Sequence, residues 1–346
     1  MTQTTVDSNY SHSMKALLPL FERGDADWLQ YLCCFLRVLD KKDEGWDPLN
    51  ESRQMLEDLI ALNNANLSSL DLDNADKTHL RLHLISYVHL TEMSAPYFMM
   101  ANLLRIHAQL PYTVNPFRMT DATIKSRRPI AKSQHKQTFR KPLPSAHHKI
   151  SEIGLLAAKA DLNSVSQSFE DFYVAPLRNA IAHSDYTLEV EEMHLIGNQI
   201  KDRNNPHLFT SRLSLIELGE IIAKAYDFYT AFFLLESVAR KELGKLAGGL
   251  VEYQQQYKGI LEFLSDEQGA FSGFVIHWPN QKDSFFQRTR DRIKTQNMTI
   301  TSEGEIAFIM GKEFPNWDFS PLVPKGKTAK YTPSYMSKKA LKWSKI

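Results

Sequence analysis

The feature that most constrains the fold is a long segment that is apolar on almost every side. Its spacing predicts a helix over residues 215–243, and the stretch from 228 to 235 has almost no polar face. Ser214 stands just before it and Glu217 follows three residues later, which is the pattern of a capping box. A helix without a polar face needs other elements around it, so this one is expected in a core or an interface.

Helical spacing of apolar residues also dominates the chain before this segment. It predicts further helices over residues 13–40, 51–63, 76–110, 149–160 and 164–183. Pro96 is expected to kink the third of these. A short β-hairpin is predicted over residues 186–196, where the pattern changes to alternation. We therefore predict a mainly α protein, with a helical bundle that carries a short hairpin insertion over residues 1–250.

The remaining residues, 251–346, predict a small α+β domain with a basic tail. The amphipathic run 250–264 is expected to bridge into it as a helix. A strand is predicted over residues 271–278 and a basic helix over 284–294. A last hairpin is expected from residues 298–301 and 305–310.

The strongest functional signal is the run Arg178-Asn179-Ala180-Ile181-Ala182-His183, at the end of a predicted helix. RNA cleavage without a metal needs a group that moves protons near neutral pH, and histidine is suited to this. It also needs a fixed cation against the charge of the phosphorane, which the planar arginine fork provides. Arg178 and His183 are therefore the catalytic candidates, with Asn179 to orient the histidine or the substrate.

At these residues the chain resembles the HEPN superfamily, whose mark is Arg, four to six residues, then His, usually with Asn, Asp or His directly after the Arg. Arg178, Asn179 and His183 fit this pattern with a gap of four. The resemblance implies an all-helical domain that dimerises and joins two copies of the motif across a two-fold axis. For active members it implies a metal-independent endoribonuclease that leaves a 2′,3′-cyclic phosphate. Many are toxins or anti-phage effectors that act by abortive infection, so an antitoxin or a trigger protein is also implied.

Helical geometry gives a separate reason to expect a homodimer. Asn179 and His183 are four residues apart and share a helix face. Arg178 and His183 are five apart, which separates them by roughly 140° around the axis. One protomer therefore does not converge both groups easily, whereas two protomers that meet at the motif can.

Three neighbouring residues are predicted to support the site. Glu92 is the only acid between Asp76 and Asp121, within an otherwise apolar helical run, and a carboxylate there needs a cation. We expect it to hold Arg178 or to orient His183; a solvent-facing glutamate is the alternative. Asp185 and Tyr186 follow the motif. Some HEPN proteins carry a modified tyrosine two residues after the histidine, but here it is three residues on.

Positive charge is gathered in two segments although the net charge is +1. The loop 111–148 and a tail that begins at Phe319 hold much of it, which suggests a polyanionic partner. The loop also contains aromatic and histidine side chains, so we predict that it contacts RNA, with rings stacked on unpaired bases. The predicted RNA-binding residues are Arg127, Arg128, Lys132, Lys136, Arg140 and Lys141. The alternative is that both segments are merely solvated.

No cofactor and no metal are expected. His79 and His83 stand four apart on a predicted helix, but a zinc site would need a third ligand on the same side. The cysteines, Cys33 and Cys34, are adjacent and predict core packing in a reducing compartment. The chain has no apolar run of bilayer length. A cytoplasmic protein without a membrane partner is therefore predicted.

Two functions remain open from the sequence. The first is a HEPN-type endoribonuclease with RNA as its substrate. The second is a non-catalytic HEPN domain that binds RNA or assembles proteins, in which the motif only builds a dimer interface. A helical scaffold that docks a partner on the apolar helix, with an idle loop, is a further alternative.

Overall fold

The computed structural model describes most of the chain in segments. They are residues 3–38, 47–65, 75–117, 144–201, 207–253, 259–278, 282–289, 293–300 and 306–308.

The helices lie mainly in the first 245 residues. They are α1 (Gln3–Phe21), α2 (Trp28–Cys34), α3 (Pro48–Asn63), α4 (Ala75–Glu92), α5 (Ser94–His107), α6 (Ala146–Lys159), α7 (Asn163–Glu170), α8 (Ala175–His183) and α9 (Leu215–Gly244).

Helix α9 forms the centre of the helical part, as its apolar sequence predicts. Ser214 Oγ accepts from the Glu217 backbone N–H at 3.2 Å, and Glu217 Oε2 accepts from the Ser214 N–H at 3.1 Å. This closes the predicted capping box. Phe228 and Phe232 are fully buried, and α1, α3 and α4 pack around the helix. Burial of each such side chain contributes about 1.5–3 kcal/mol, so α9 is a core helix.

The strands form four antiparallel sheets among the described residues. Strands β1 (Tyr186–Leu188), β2 (Glu192–Leu195) and β5 (Arg212–Ser214) form a three-stranded sheet in that order. Two-stranded pairs are β3 (Ile200–Lys201) with β4 (Phe209–Thr210), and β11 (Met298–Ile300) with β12 (Ile306–Phe308). The five-stranded sheet has the order β10 (Ile293–Gln296), β9 (Ser284–Arg288), β8 (Phe271–His277), β7 (Gly259–Ser265), β6 (Leu250–Tyr253).

The prediction of a mainly α protein is wrong. Helices account for 55% of the described residues and strands for 18%, so the fold is mixed α/β. The predicted short hairpin gains a third strand, β5. The C-terminal region is built on a five-stranded antiparallel sheet rather than on alternating helices and strands.

Two helices predicted in the C-terminal region are strands. Residues 250–253 form β6 and residues 259–264 belong to β7, while residues 284–288 form β9 and residues 293–294 begin β10. In β9 the inward residues are Ser284, Phe286 and Arg288, which is strict alternation. Arg288 points inward because its guanidinium donates to the Leu36 carbonyl at 2.8 Å. A buried arginine is unusual, and it made this strand resemble a basic helix in sequence.

Prolines divide two helical patterns, although not where the kink was predicted. The pattern 76–110 breaks at Met93, three residues before Pro96. A proline cannot donate to the carbonyl four residues earlier, so the chain ends one helix and places Pro96 in the first turn of the next. Pro176 has the same effect on the pattern 164–183, which the structure divides into α7 and α8.

Buried ion pairs fasten the helical part to the five-stranded sheet. Glu236 on α9 is fully buried and pairs with Arg53 on α3 and, at 3.8 Å, with Arg240. Arg240 also donates to the Phe271 carbonyl at 3.0 Å and pairs with Asp266 at 3.3 Å. The sheet therefore packs on α9 through ion pairs as well as apolar contacts. The division into two domains at residue 250 stays a prediction.

No helix among the described segments has the length and apolar character needed to cross a lipid bilayer.

Candidate functional site

Helix α8, which carries the motif, is held against α4 by its apolar face and by one tyrosine. Leu177, Ala180 and Ile181 are buried. Tyr87 of α4 donates its hydroxyl to the Phe172 carbonyl at 2.9 Å and accepts from the Val174 N–H at 3.2 Å. Pro176 has no N–H to donate to the Phe172 carbonyl, so Tyr87 provides the hydrogen bond to that carbonyl where α8 begins.

The end of α8 is sharply defined. Ser184 adopts a left-handed φ of 59°. Its N–H donates to the Ile181 carbonyl at 3.1 Å, and the Asp185 N–H donates to the Ala180 carbonyl at 2.8 Å. These two bonds are those of a Schellman motif. His183 is therefore the last helical residue, and the chain turns away directly behind it.

Asn179 and His183 lie on the face of α8 that is opposite to the core. Both are exposed. Within the described part of the chain, His183 has no hydrogen bond or ion pair, so its ring is not used for packing or capping. A histidine that is free at both nitrogens can accept and donate protons to a bound molecule.

Arg178 lies at the edge of the buried face, on the side of α4. It forms an ion pair with Glu92, the last residue of α4, and its Nη1 donates to Asn179 Oδ1 at 2.9 Å. The Arg178 side chain is 24% exposed and that of Glu92 is 34% exposed. A carboxylate at a helix C-terminus is unfavourable for the helix dipole, and Arg178 offsets that cost.

A buried lysine and two tyrosines surround this ion pair. Lys149 on α6 is 2% exposed, and its Nζ donates to Ser94 Oγ at 2.8 Å. It also lies 5.6 Å from the centre of the Tyr97 ring. Burial lowers the pKa of Lys149; Glu92 opposes this effect and Arg178 adds to it. Burial also raises the pKa of Tyr173 to about 12, against the influence of Arg178.

Lys149 lies within the predicted helix 149–160, although the burial of its side chain was not predicted. On α6 it occupies the same stripe as Ala146, Ile153 and Ala157, all of which are buried. That helical spacing was the available signal. Next to it, the exposed ring of His147 stacks on Tyr173 at 6.3 Å.

The other predicted site residues are separate from the ion pair. Asp185 is exposed, and its carbonyl accepts from the Ile196 N–H at 2.8 Å. Tyr186 is half-buried and pairs with Leu195 in the β1–β2 ladder. The residues predicted to bind RNA, Arg127, Arg128, Lys132, Lys136, Arg140 and Lys141, lie outside the described residues.

Among the described residues, one group of metal-ligand type occurs, in the hairpin beside the motif. Ligand atoms of Glu189, Glu192 and His194 lie within 4.8 Å of one another. Arg212 already stands 3.2 Å from Glu192, and His194 Nε2 lies 2.9 Å from the same carboxylate. The group is explained as an exposed cluster of ion pairs.

A single protomer therefore presents the motif as two separate groups. Arg178 is held on one flank by Glu92 and donates to Asn179, and His183 projects from the outer face. The arginine could neutralise a phosphate, and the histidine could move a proton, but the two do not converge within one chain.

No family model matches the chain, and neither the curated proteins nor the solved structures contain a significant match.

Proposed function

We propose that the protein is a metal-independent endoribonuclease of the HEPN type, which acts in the cytoplasm as a homodimer. The observation that carries this proposal is the exposed position of His183, which has no hydrogen bond or ion pair among the described residues. Asn179 is exposed on the same face of α8 and accepts a hydrogen bond from Arg178 at 2.9 Å, so its amide links the arginine to the face that carries the histidine.

In the proposed reaction, His183 removes the proton from the ribose 2′-OH or gives one to the leaving 5′ oxygen. The 2′ oxygen attacks the phosphorus, and the P–O5′ bond breaks, which leaves a 2′,3′-cyclic phosphate and a 5′-hydroxyl. Arg178, oriented by Glu92, neutralises the charge of the phosphorane. Asn179 orients His183 or the phosphate.

The separation of Arg178 from His183 supports a composite site. In a symmetric pair of protomers joined at α8, Arg178 of one copy approaches His183 of the other. The six basic residues of the 111–148 loop are proposed to track the RNA backbone. A role in growth arrest or phage defence, with an antitoxin or a trigger protein, rests on the family resemblance alone.

The test is an RNA-cleavage assay in EDTA with purified wild type and His183→Ala. Loss of one acid-base group typically lowers a rate ~10²–10⁴-fold. We expect wild type to produce cyclic-phosphate ends and His183→Ala to lose that activity with an unchanged melting temperature. His89→Ala is the matched control, since His89 is also exposed in the last turn of a helix. Wild-type-like cleavage by His183→Ala would refute the assignment.

The second function, a non-catalytic module that binds RNA or assembles proteins, is favoured by one observation. Arg178 is already paired with Glu92, and such a pair can serve a dimer interface without any chemistry. In that case intact RNA would be retained in a salt-dependent manner and never cut. A scaffold that docks its partner on α9 is disfavoured, because half of that helix is buried and only Ile216, Leu234 and Lys241 are exposed.

A further inference from the structure

A second site lies away from the motif, in a cleft between α3, α4 and α9. The cleft has a volume of about 620 Å³, and its walls include Leu80, Ile216 and Ile222. Volumes of roughly 300–1,000 Å³ are typical of small-molecule sites. Along α4, twelve residues separate Leu80 from Glu92, which is about 18 Å of helix. The cleft is therefore distinct from the Arg178–Glu92 pair.

Two hydrogen-bond acceptors in the wall of the cleft have no partner among the described residues. Asp227 Oδ2 is a buried atom without a hydrogen bond, and so is Asn63 Oδ1. The Asn63 side chain is 8% exposed, so its unpaired oxygen is more than nine-tenths buried. Buried acceptors normally have a partner, and leaving one unpaired costs about 1–3 kcal/mol.

The orientation of the Asn63 amide is fixed by its neighbours. Ser86 donates its single hydroxyl proton to the Leu82 carbonyl at 2.7 Å. It can therefore only accept from Asn63 Nδ2, which lies 3.5 Å away and also bonds to Tyr226. The amide nitrogen thus donates to both Ser86 and Tyr226, and Oδ1 is the atom that remains without a partner.

The charge in the cleft is negative and has no counter-ion. Within the described residues, no lysine or arginine lines the cleft. Burial alone raises the pKa of Asp227 to about 6, with no cation to oppose it. His83 also lines the cleft, but burial lowers its pKa and His79 adds to this effect, so it does not supply the missing positive charge.

Gly219 provides an independent sign that the space is kept open. It lies within α9 and lines the cleft, and a Cβ built there would meet no atom within 4 Å. Glycine in a helix interior costs roughly 0.5–1 kcal/mol relative to alanine. No close backbone contact requires a glycine here, and a larger side chain at this position would extend into the cleft.

We propose that this cleft binds a small organic amine, with its ammonium group at the Asp227 carboxylate and its apolar body against Leu80, Ile216 and Ile222. The ammonium supplies the positive charge that Asp227 lacks. Tyr226 lines the same cleft, and an aromatic ring there suits an organic cation. This site does not depend on the proposed nuclease function.

The proposal is tested with the full chain and two matched probes, 4-phenylbutylamine and 4-phenylbutan-1-ol. They differ in the charged group and share the apolar body. Saturation-transfer NMR titrations give the affinity of each. A charge-assisted hydrogen bond is worth about 1.5–3 kcal/mol, which corresponds to roughly 10-fold or more in favour of the amine.

Two variants locate the binding. Asp227→Asn keeps the shape of the side chain and is expected to remove the preference for the amine. Gly219→Leu fills the cleft and is expected to abolish binding of both probes, while its melting temperature stays equal or rises because a helix glycine is replaced. Equal affinity of wild type for both probes, no binding of the amine, or undiminished binding to Gly219→Leu would each overturn the proposal.

Discussion

Two glutamates on the helices hold arginines, and their environments differ. Glu236 is fully buried, and its partners Arg53 and Arg240 connect α3, α9 and the five-stranded sheet. Glu92 is 34% exposed and holds Arg178 at the surface, beside the face of α8 from which His183 projects. The same ion-pair chemistry therefore fastens the fold in one place and presents a cation to solvent in the other.

The contrast separates structural from functional charge. A buried pair that loses one partner leaves an uncompensated charge, whereas an exposed pair contributes little to stability. A change at Glu236 should therefore alter the free energy of unfolding, and a change at Glu92 should alter the rate of RNA cleavage.

The largest effect on stability is expected from Glu236→Gln. The change leaves Arg53 and Arg240 without their buried counter-ion and should lower the free energy of unfolding by roughly 3–5 kcal/mol. Urea unfolding measures this. Glu57→Gln on the exposed face of α3 is the control and should stay within about 0.5 kcal/mol of wild type. If Glu236→Gln matched that control, the fastening role would be refuted.

A smaller effect, of a different kind, is expected from Glu92→Gln. The free energy of unfolding should fall by less than about 1 kcal/mol, because the pair is partly exposed. RNA cleavage should slow by about 10-fold, since Arg178 loses the group that orients it. The comparison of unfolding and cleavage on the same preparation separates the two effects. A cleavage rate equal to wild type would remove Glu92 from the site.

The smallest effect is expected at His277, an ion-paired histidine in the sheet. Burial lowers its pKa, but hydrogen bonds to Glu262 at 2.8 Å and Asp283 at 2.9 Å outweigh this, so the pKa is raised. Its stabilisation is thus fully present below the unfolded pKa of 6.5 and is lost as pH rises through the folded pKa.

The change His277→Gln tests this sign. The variant should be less stable than wild type at pH 5.5, by less than about 1 kcal/mol because the side chain is 39% exposed. The difference should shrink by pH 9. Melting temperatures of both proteins across this range measure it, and a difference that grows with pH would contradict the assigned shift.

The sequence predicted the elements whose signals are local. The capping box of Ser214 and Glu217 and the apolar run behind it placed α9 correctly. Prediction from the sequence failed where a charged side chain is buried against its usual preference for solvent. Arg288 and Lys149 are buried, so β9 was taken for a basic helix and the burial of Lys149 was not predicted.

The candidate site was predictable only in part for the same physical reason. Periodicity places Asn179 and His183 on one face and Arg178 apart from them. The ion pair between Arg178 and Glu92 joins residues 86 positions apart, on helices that Tyr87 holds together through backbone groups. Such tertiary contacts have no local pattern. The only sequence signal for this ion pair was Glu92, a single acid within an apolar run.

The most direct test of the central claim mixes two inactive variants. Arg178→Ala and His183→Ala are expected to lose cleavage separately. When their protomers exchange, the mixed dimer carries one site with both groups intact, supplied by different copies. Random exchange should restore about a quarter of the wild-type rate in EDTA, since half the dimers are mixed and each has one working site of two. A mixture as inactive as either variant alone, with exchange verified by differently sized tags, would contradict a site shared between two copies.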